Sequence, residues 1–263
     1  MSWVIDQVKI AGDYSGTAGT TGSITLTSVG AGHNLAVFIQ NGNTNAYTFS
    51  DNIGGNTYVN VDAVFNANNQ QLASFYVLNA SGGITSITIT DTTANELIFW
   101  SLAVIEFHWS GGGTPTAHGH NSATGTGTAL SSGAAAFTSG DLTVGAACTG
   151  GAGSNIVAGS GFTQQNNSTT FEYSDETGTT SGTATFTIAA SDNWACEALT
   201  FTPPASSTVF SDSGGSFEAG LSAARDQATP IDQSLTVRSD SDGTFEPSLT
   251  ARSGNERRRT IWT

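Results

Sequence analysis

The sequence predicts an all-β fold: two tandem antiparallel β-sandwich modules followed by a β-repeat tail. Three observations carry this. The 263 residues include 32 glycines, with plentiful Ser, Thr and Asn and only 11% charged residues. That is the composition of short strands joined by tight turns, because Gly and Asn supply the positive φ angles such turns need. The apolar residues gather in runs of strand length, of which Glu96–Phe107, ELIFWSLAVIEF, is the densest. Finally, three segments recur in the same order in the second half of the chain, as a tandem duplication leaves them.

Residues 1–109 form the first module. A strand over 2–10 is followed by TAGTTGSITLTSV, the turn GAGHN and the strand Leu35–Gly42. DNIGGN (Asp51–Asn56) is the clearest turn. In Gly82–Thr90, Ile87 and Ile89 face one side and the threonines the other, the period of a sheet with one buried and one wet face. Glu96–Phe107 closes the module. At about twelve residues it is too short to cross a bilayer, which takes roughly 20 apolar residues as a helix. Its Trp, Phe, Ile and Val content suits a strand buried on both faces.

Residues 110–121 read as a linker and 122–204 as the second module, closed by Pro203-Pro204. Leu142–Gly150 answers Leu35–Gly42 at an offset of 107, so that Asn34 matches Asp141, Leu35 matches Leu142 and Val37 matches Val144. Ile87 and Ile89 match Phe186 and Ile188. Asn193–Phe201 is a weaker copy of the closing strand at an offset of 94, pairing Trp100 with Trp194, Leu102 with Cys196, Ile105 with Leu199 and Phe107 with Phe201. Its smaller side chains predict a smaller, looser second core. The surplus apolar residues of the first copy are expected to be buried in their own module or to face a neighbouring subunit.

Residues 205–263 form the tail. From Ser207 run four units of fourteen residues: STVFSDSGGSFEAG, LSAARDQATPIDQS, LTVRSDSDGTFEPS and LTARSGNERRRTIW. Each reads as strand, turn, strand. So small a hairpin cannot bury its own apolar face and must stack on something else.

The net charge is −14. Between Lys9 and Arg225 there are fourteen carboxylates and no Lys or Arg, a balance that excludes nucleic-acid binding and docking on an anionic membrane. All six arginines fall in the last 39 residues. Arg225, Arg238, Arg252, Arg257, Arg258 and Arg259, with Trp262, are therefore the candidate docking or oligomerisation residues. The N-terminus lacks the basic and apolar regions of a secretion signal, so assembly in the cytoplasm is expected. Cys148 and Cys196 both fall on core strands, where a disulfide and two buried free thiols are both open.

No catalytic constellation can be picked out, and no enzyme activity, cofactor or metal is expected. His33 lies in a turn, His108 follows the closing strand, and His118 and His120 sit in the linker. Asp175-Glu176 read as a solvated turn, and Asp240-Ser-Asp242-Gly243 has a faint likeness to a calcium loop. Lys9 is the one lysine available to an isopeptide bond. Tyr47, Tyr58 and Tyr173 are candidates for stacking on sugar rings.

Asn34-Leu35, Asp51 with Gly54-Gly55-Asn56-Thr57-Tyr58, Phe75-Tyr76 with Asn79, and Ile105-Glu106-Phe107 together resemble a β-sandwich module (Ig-like or jelly-roll-like) common in bacteriophage structural proteins and bacterial surface proteins. The second module keeps Gly161-Phe162-Thr163 and Trp194 but lacks the Asp-Gly-Asn turn. The likeness covers about three-quarters of the chain and concerns architecture alone. The tail resembles the spiral shafts of trimeric viral fibres. These resemblances imply a virion structural protein of a tailed phage: a head fibre, decoration or tail-associated adhesin. Its partners would be other virion proteins, copies of itself (a trimer among the options) and a host surface glycan. The alternative is a non-catalytic carbohydrate-binding or adhesion module at a cell surface.

Overall fold

A computed structural model describes residues 1–205 except 17, 44, 94–96 and 152–154, together with the backbone of four tail strands. It divides into two compact units, Met1–Pro204 and Ala205–Thr263. The described residues contain strands and no α-helix, as the composition requires.

The first half holds β1 (Trp3–Asp13), β2 (Thr21–Thr25), β3 (Asn34–Asn41), β4 (Tyr47–Asp51), β5 (Val59–Phe65), β6 (Gln71–Val77), β7 (Ser86–Asp91) and β8 (Trp100–Trp109). A five-stranded antiparallel sheet runs β1-β8-β3-β6-β5, and a three-stranded sheet runs β2-β7-β4. The second half holds β9 (Thr116–Ser131), β10 (Leu142–Thr149), β11 (Val157–Ala158), β12 (Phe162–Ser168), β13 (Tyr173–Gly178) and β14 (Thr185–Thr202). Here β14 pairs with β9, β10 and β11, and the sheet continues through β13 to β12.

The second sheet repeats the first strand for strand. β9, β14, β10, β13 and β12 take the places of β1, β8, β3, β6 and β5. The start of β14 pairs with Ala129–Ser131 and with β11 as β7 pairs with β2 and β4. The duplication is thus present in topology as well as in text, with β7 and β8 fused into one long strand. The segment 110–121, expected as a linker, is strand from Thr116 onward. It covers an edge of β14 that would otherwise stand unpaired.

Register corrects one of the sequence matches. Asn34 pairs with Phe107 and Leu142 with Phe201, so the equivalent of Asn34 is Leu142, an offset of 108 in place of 107. A slip of one residue exchanges the two faces of a strand. Leu35, Val37 and Ile39 face the first module's small sheet, whereas Leu142, Val144 and Ala146 face the other way. The apolar pattern does not reveal this because β3 and β10 are buried along their whole length on both faces.

Three cores result. The first, between the first module's two sheets, includes Ile24, Leu35, Val37, Phe75, Ile87, Ile89, Trp100 and Leu102. The second joins the two large sheets across Phe38, Leu72, Ile105, Phe107, Leu142, Val144, Tyr173, Leu199 and Phe201. Phe107 and Phe201 meet with ring centroids 4.7 Å apart. Of the surplus apolar residues of the closing strand, Leu102 and Val104 are buried in their own module, as one of the two expectations had it, while Ala103 with Ile105 and Phe107 faces the second module of the same chain. The third core lies behind the second module. It has nine buried residues against eighteen in its counterpart, Ala147, Cys196 and Ala198 among them, so the second module's own core is the smaller. Each closing tryptophan lies flat on a glycine: a Cβ on Gly22 would sit 2.4 Å from Trp100, and one on Gly125 would sit 2.5 Å from Trp194.

Cys148 belongs to the core shared by the two sheets and Cys196 to the core behind the second, so their side chains leave opposite faces of one sheet. They are free thiols, and this geometry cannot bridge them.

The DNIGGN turn is organised by Asp51. Its carboxylate accepts from Ile53 N at 3.0 Å, Gly54 N at 2.7 Å, Asn56 Nδ2 at 3.0 Å and Tyr58 OH at 3.1 Å. Burial pushes this carboxyl up, but the four donors outweigh it and hold it below the ordinary carboxylate range. Asp51→Ala should cost roughly 1–3 kcal/mol, measured by chemical denaturation at pH 7. The difference from wild type should shrink as pH falls below about 3.8, where the wild-type carboxylate is also lost.

In the tail, β15 (Val209–Ser211) pairs with β16 (Phe217–Ala219) and β17 (Asp232–Ser239) with β18 (Phe245–Arg252). The two strand pairs flank the Ser/Asp/Gly centres of the first and third fourteen-residue units, which lie outside the described residues.

Candidate functional site

Of the expected docking residues, Arg238 lies on β17 opposite Glu246, and Arg252 ends β18 opposite Asp232. Arg225, Arg257, Arg258, Arg259 and Trp262 lie outside the described residues, as does the Asp240–Gly243 turn. The three candidate sugar platforms are not exposed faces. Tyr173 is fully buried, Tyr47 donates to Gln71 from within the first core, and Tyr58 stacks on Phe49 while donating to Asp51.

Polar side chains converge instead at one end of the first module. Strand β1 carries a bulge there: Ile5 pairs with Phe107 and Gln7 with Glu106, leaving Asp6 as the extra residue. A bulge re-aims a side chain. On β8, Ile105 and Phe107 enter the core shared with the second module, so alternation turns Glu106 and His108 to the opposite face. The GAGHN turn brings His33 over the same point. Its ring packs against Gly30, where a Cβ would come within 2.5 Å of it.

Glu106 is 2% exposed. It receives Gln7 Nε2 at 2.5 Å and Gly30 N at 2.9 Å, and it meets His33 Nδ1 at 2.6 Å. Asp6 Oδ2 lies 2.6 Å from His108 Nδ1 and 3.3 Å from His33 Nδ1. The two imidazoles stack with centroids 4.3 Å apart and planes 19° apart. Both line a groove of about 380 Å³ with Gly32, Asn79, Ser110 and Thr114. Two imidazoles and two carboxylates so placed can share protons.

The second module repeats the arrangement with its parts exchanged. His118 is the extra residue of a bulge in β9, between Ala117 paired with Phe201 and Gly119 paired with Thr200. It is the counterpart of Asp6, and Asp141 is the counterpart of His33. His118 Nδ1 lies 2.6 Å from Asp141 Oδ2, and Thr138 N donates to the same oxygen at 2.7 Å. Burial raises the Asp141 carboxyl, but hydrogen bonds from Thr138, His118 and Thr202 outweigh it and hold it low. Thr200 and Thr202 stand where the first module has Glu106 and His108, so this copy keeps one imidazole and one carboxylate.

Much of the body's acidity lies in its interior. Asp91, Glu106, Asp141, Glu172, Asp175, Glu176 and Glu197 are all buried. Asp175 and Glu176 lie on β13 and not in a solvated turn. Asp175 accepts from Asn166 N, Asn166 Nδ2 and Tyr173 OH, and Glu176 from Thr185 N and Gly159 N. Glu197 faces Ser74 and Asp62 of the first module's sheet.

His33 and His108 are 75 residues apart, and nothing in the text joins them. The one available signal was Glu106, a charge interrupting the most apolar run of the chain. Compared with known proteins, the chain matches no protein-family model, no curated protein and no solved structure.

Proposed function

We propose that this is a structural protein of a tailed-phage virion, a head fibre, decoration or tail-associated adhesin. It assembles through residues 205–263 and displays its β-sandwich body on the particle. The observation that carries this reading is the division of the chain at Pro204. Before it stands a body whose two modules share one core. After it comes a separate unit that holds hairpins in repeating fourteen-residue units and all six arginines of the chain. Short hairpins need a partner surface, and arginines supply a forked donor for carboxylates on neighbouring proteins. The body has thirteen carboxylates against one lysine, seven of them buried, which leaves a sparsely charged Ser/Thr/Asn/Gly exterior suited to close packing on a particle.

Light scattering coupled to size exclusion tests this. The full chain should run as a homo-oligomer, and a chain ending at Pro204 should run as a folded monomer. A full chain that stays monomeric, or a truncated one that oligomerises equally well, would rule out assembly through the tail.

A further inference from the structure

We infer that Tyr14 and Phe99 form the stacking platform of a binding site for a neutral glycan, with Gln70 beside them and Glu172 as the residue that positions Tyr14. The pairing of β1 with β8 ends at Asp13 and Trp100, and the next residue on each side is one of these two aromatics. Both rings reach solvent, Tyr14 at 39% and Phe99 at 41% exposure. Their centroids are 5.2 Å apart and their planes are inclined at 57°, so the rings lie at an angle instead of covering one another.

Phe99 is held there against its own preference. Its φ is +50°, a left-handed conformation that bulky residues avoid. The surrounding chain pins it: Ile98 N donates to Asn41 Oδ1 at 2.9 Å, Gly42 N to Ile98 O at 2.9 Å and Gln40 Nε2 to Phe99 O at 3.3 Å. The ring rests on Gly16, where a Cβ would come within 2.9 Å of its Cζ. Folding gains little burial from this arrangement, since much of the ring stays in water. Backbone strain without such a gain is a mark of ligand sites.

A second strained residue meets the first pair from the other module. Glu172 has φ +52° and is 2% exposed. Its Oε1 accepts from Tyr14 OH at 3.3 Å and its Oε2 from Gln70 Nε2 at 3.3 Å, so one carboxylate holds both the phenol and the amide. The platform therefore lies on the seam between the modules, a usual place for a binding site.

Chemistry chooses the occupant. Aromatic faces beside a hydroxyl and an amide suit a ligand with an apolar C–H face and a polar rim, which is a sugar ring. Residues 10–224 carry no Lys or Arg, and Asp13 and Glu172 adjoin the platform, so a sialylated or sulfated sugar has nothing to pair with. Two rings also offer far less than the roughly 800 Å² that a stable protein interface takes from each partner. The proposal rests on the adhesin reading for the use of such binding, whereas its geometry stands on the body alone.

The test exposes the full chain to an array of neutral gluco-, galacto-, manno- and N-acetylglucosamine oligosaccharides, with sialylated and sulfated sugars beside them. The strongest neutral sugar is then titrated by calorimetry. Saturable binding of neutral sugars alone is expected. Tyr14→Ala should weaken it at least about 10-fold. Phe99→Gly is the decisive variant, because glycine takes a positive φ without strain: the melting temperature should hold while binding falls at least about 10-fold. Glu172→Gln should also weaken binding, and its effect should shrink in the Tyr14→Phe background, where the phenol it positions is gone. No binding of any neutral sugar, a preference for the sialylated or sulfated ones, or undiminished binding by Phe99→Gly overturns the proposal. Light scattering on the same sample reads assembly separately. A monomer that binds sugar keeps this site and removes assembly through the tail, and an oligomer that binds none does the reverse.

Discussion

Glu197→Gln is expected to raise the melting temperature by roughly 10 °C at pH 8 and to leave it nearly unchanged at pH 4.5. The Glu197 carboxyl is pushed up to about 8 by burial, which outweighs the opposing Ser74 hydroxyl, and the Asp62 charge adds a smaller rise. In the unfolded chain it titrates near its ordinary value of 4.5. Between those two values the unfolded chain gives up its proton while the folded protein keeps it, so stability falls as pH rises. At about 1.4 kcal/mol per pH unit over this window the cost reaches on the order of 4 kcal/mol near pH 8. For a body of this size that corresponds to the stated shift. Gln keeps the shape and removes the charge.

Burial also raises Glu176 to about 7 and Asp175 to about 6, with the same sign. Asp51 and Asp141 are held low and act oppositely, adding stability that is lost only as pH falls below about 3.8. The wild-type protein should therefore be most stable at about pH 4–5. A melting temperature that rises from pH 5 to pH 8 would contradict this account, as would a Glu197→Gln variant no more stable than wild type at pH 8.

Phe107→Ala should destabilise the body by about 3–5 kcal/mol, the usual cost of removing a buried phenyl ring, and should do so in a single unfolding transition that includes both modules. Phe107 is fully buried in the core between the two large sheets, against Phe201 and Trp3. Neither module can expose that face without uncovering the other. Trp3 Nε1 to Gly140 O at 2.8 Å, Ser122 Oγ to Asp62 Oδ2 at 2.6 Å and Asn193 Nδ2 to Asn68 Oδ1 at 2.8 Å cross the same boundary. Calorimetry of the chain ending at Pro204 checks this. Two separate transitions, with only the first displaced by Phe107→Ala, would mean that the modules fold independently.

How legible was all this in the text? Trp100 with Trp194 and Phe107 with Phe201 identified the equivalent closing strands, because the chain has only five tryptophans and the two pairs share one offset. Leu35 with Leu142 misled by one residue, since both strands are apolar on both faces and alternation carries no register. Asp175 and Glu176 looked like surface charge, for carboxylates among Ser, Thr and Gly have no pattern that announces burial, whereas Glu106 and Glu197 stood inside apolar runs. Asp6 and His118 gave no sign either, because a bulge depends on how a strand meets its partner.

Composition and periodicity by themselves determined that this is a β protein with a duplicated body and a repeating tail. Turn residues, strand length and alternation are local properties, and the chain cannot satisfy them as helix. Tertiary structure alone decided that the two modules share a core, that the acids turn inward, and that Asp6, His33, Glu106 and His108 meet. Each of these depends on which face of one sheet packs on another, and that is settled by complementary shape across residues far apart in the chain.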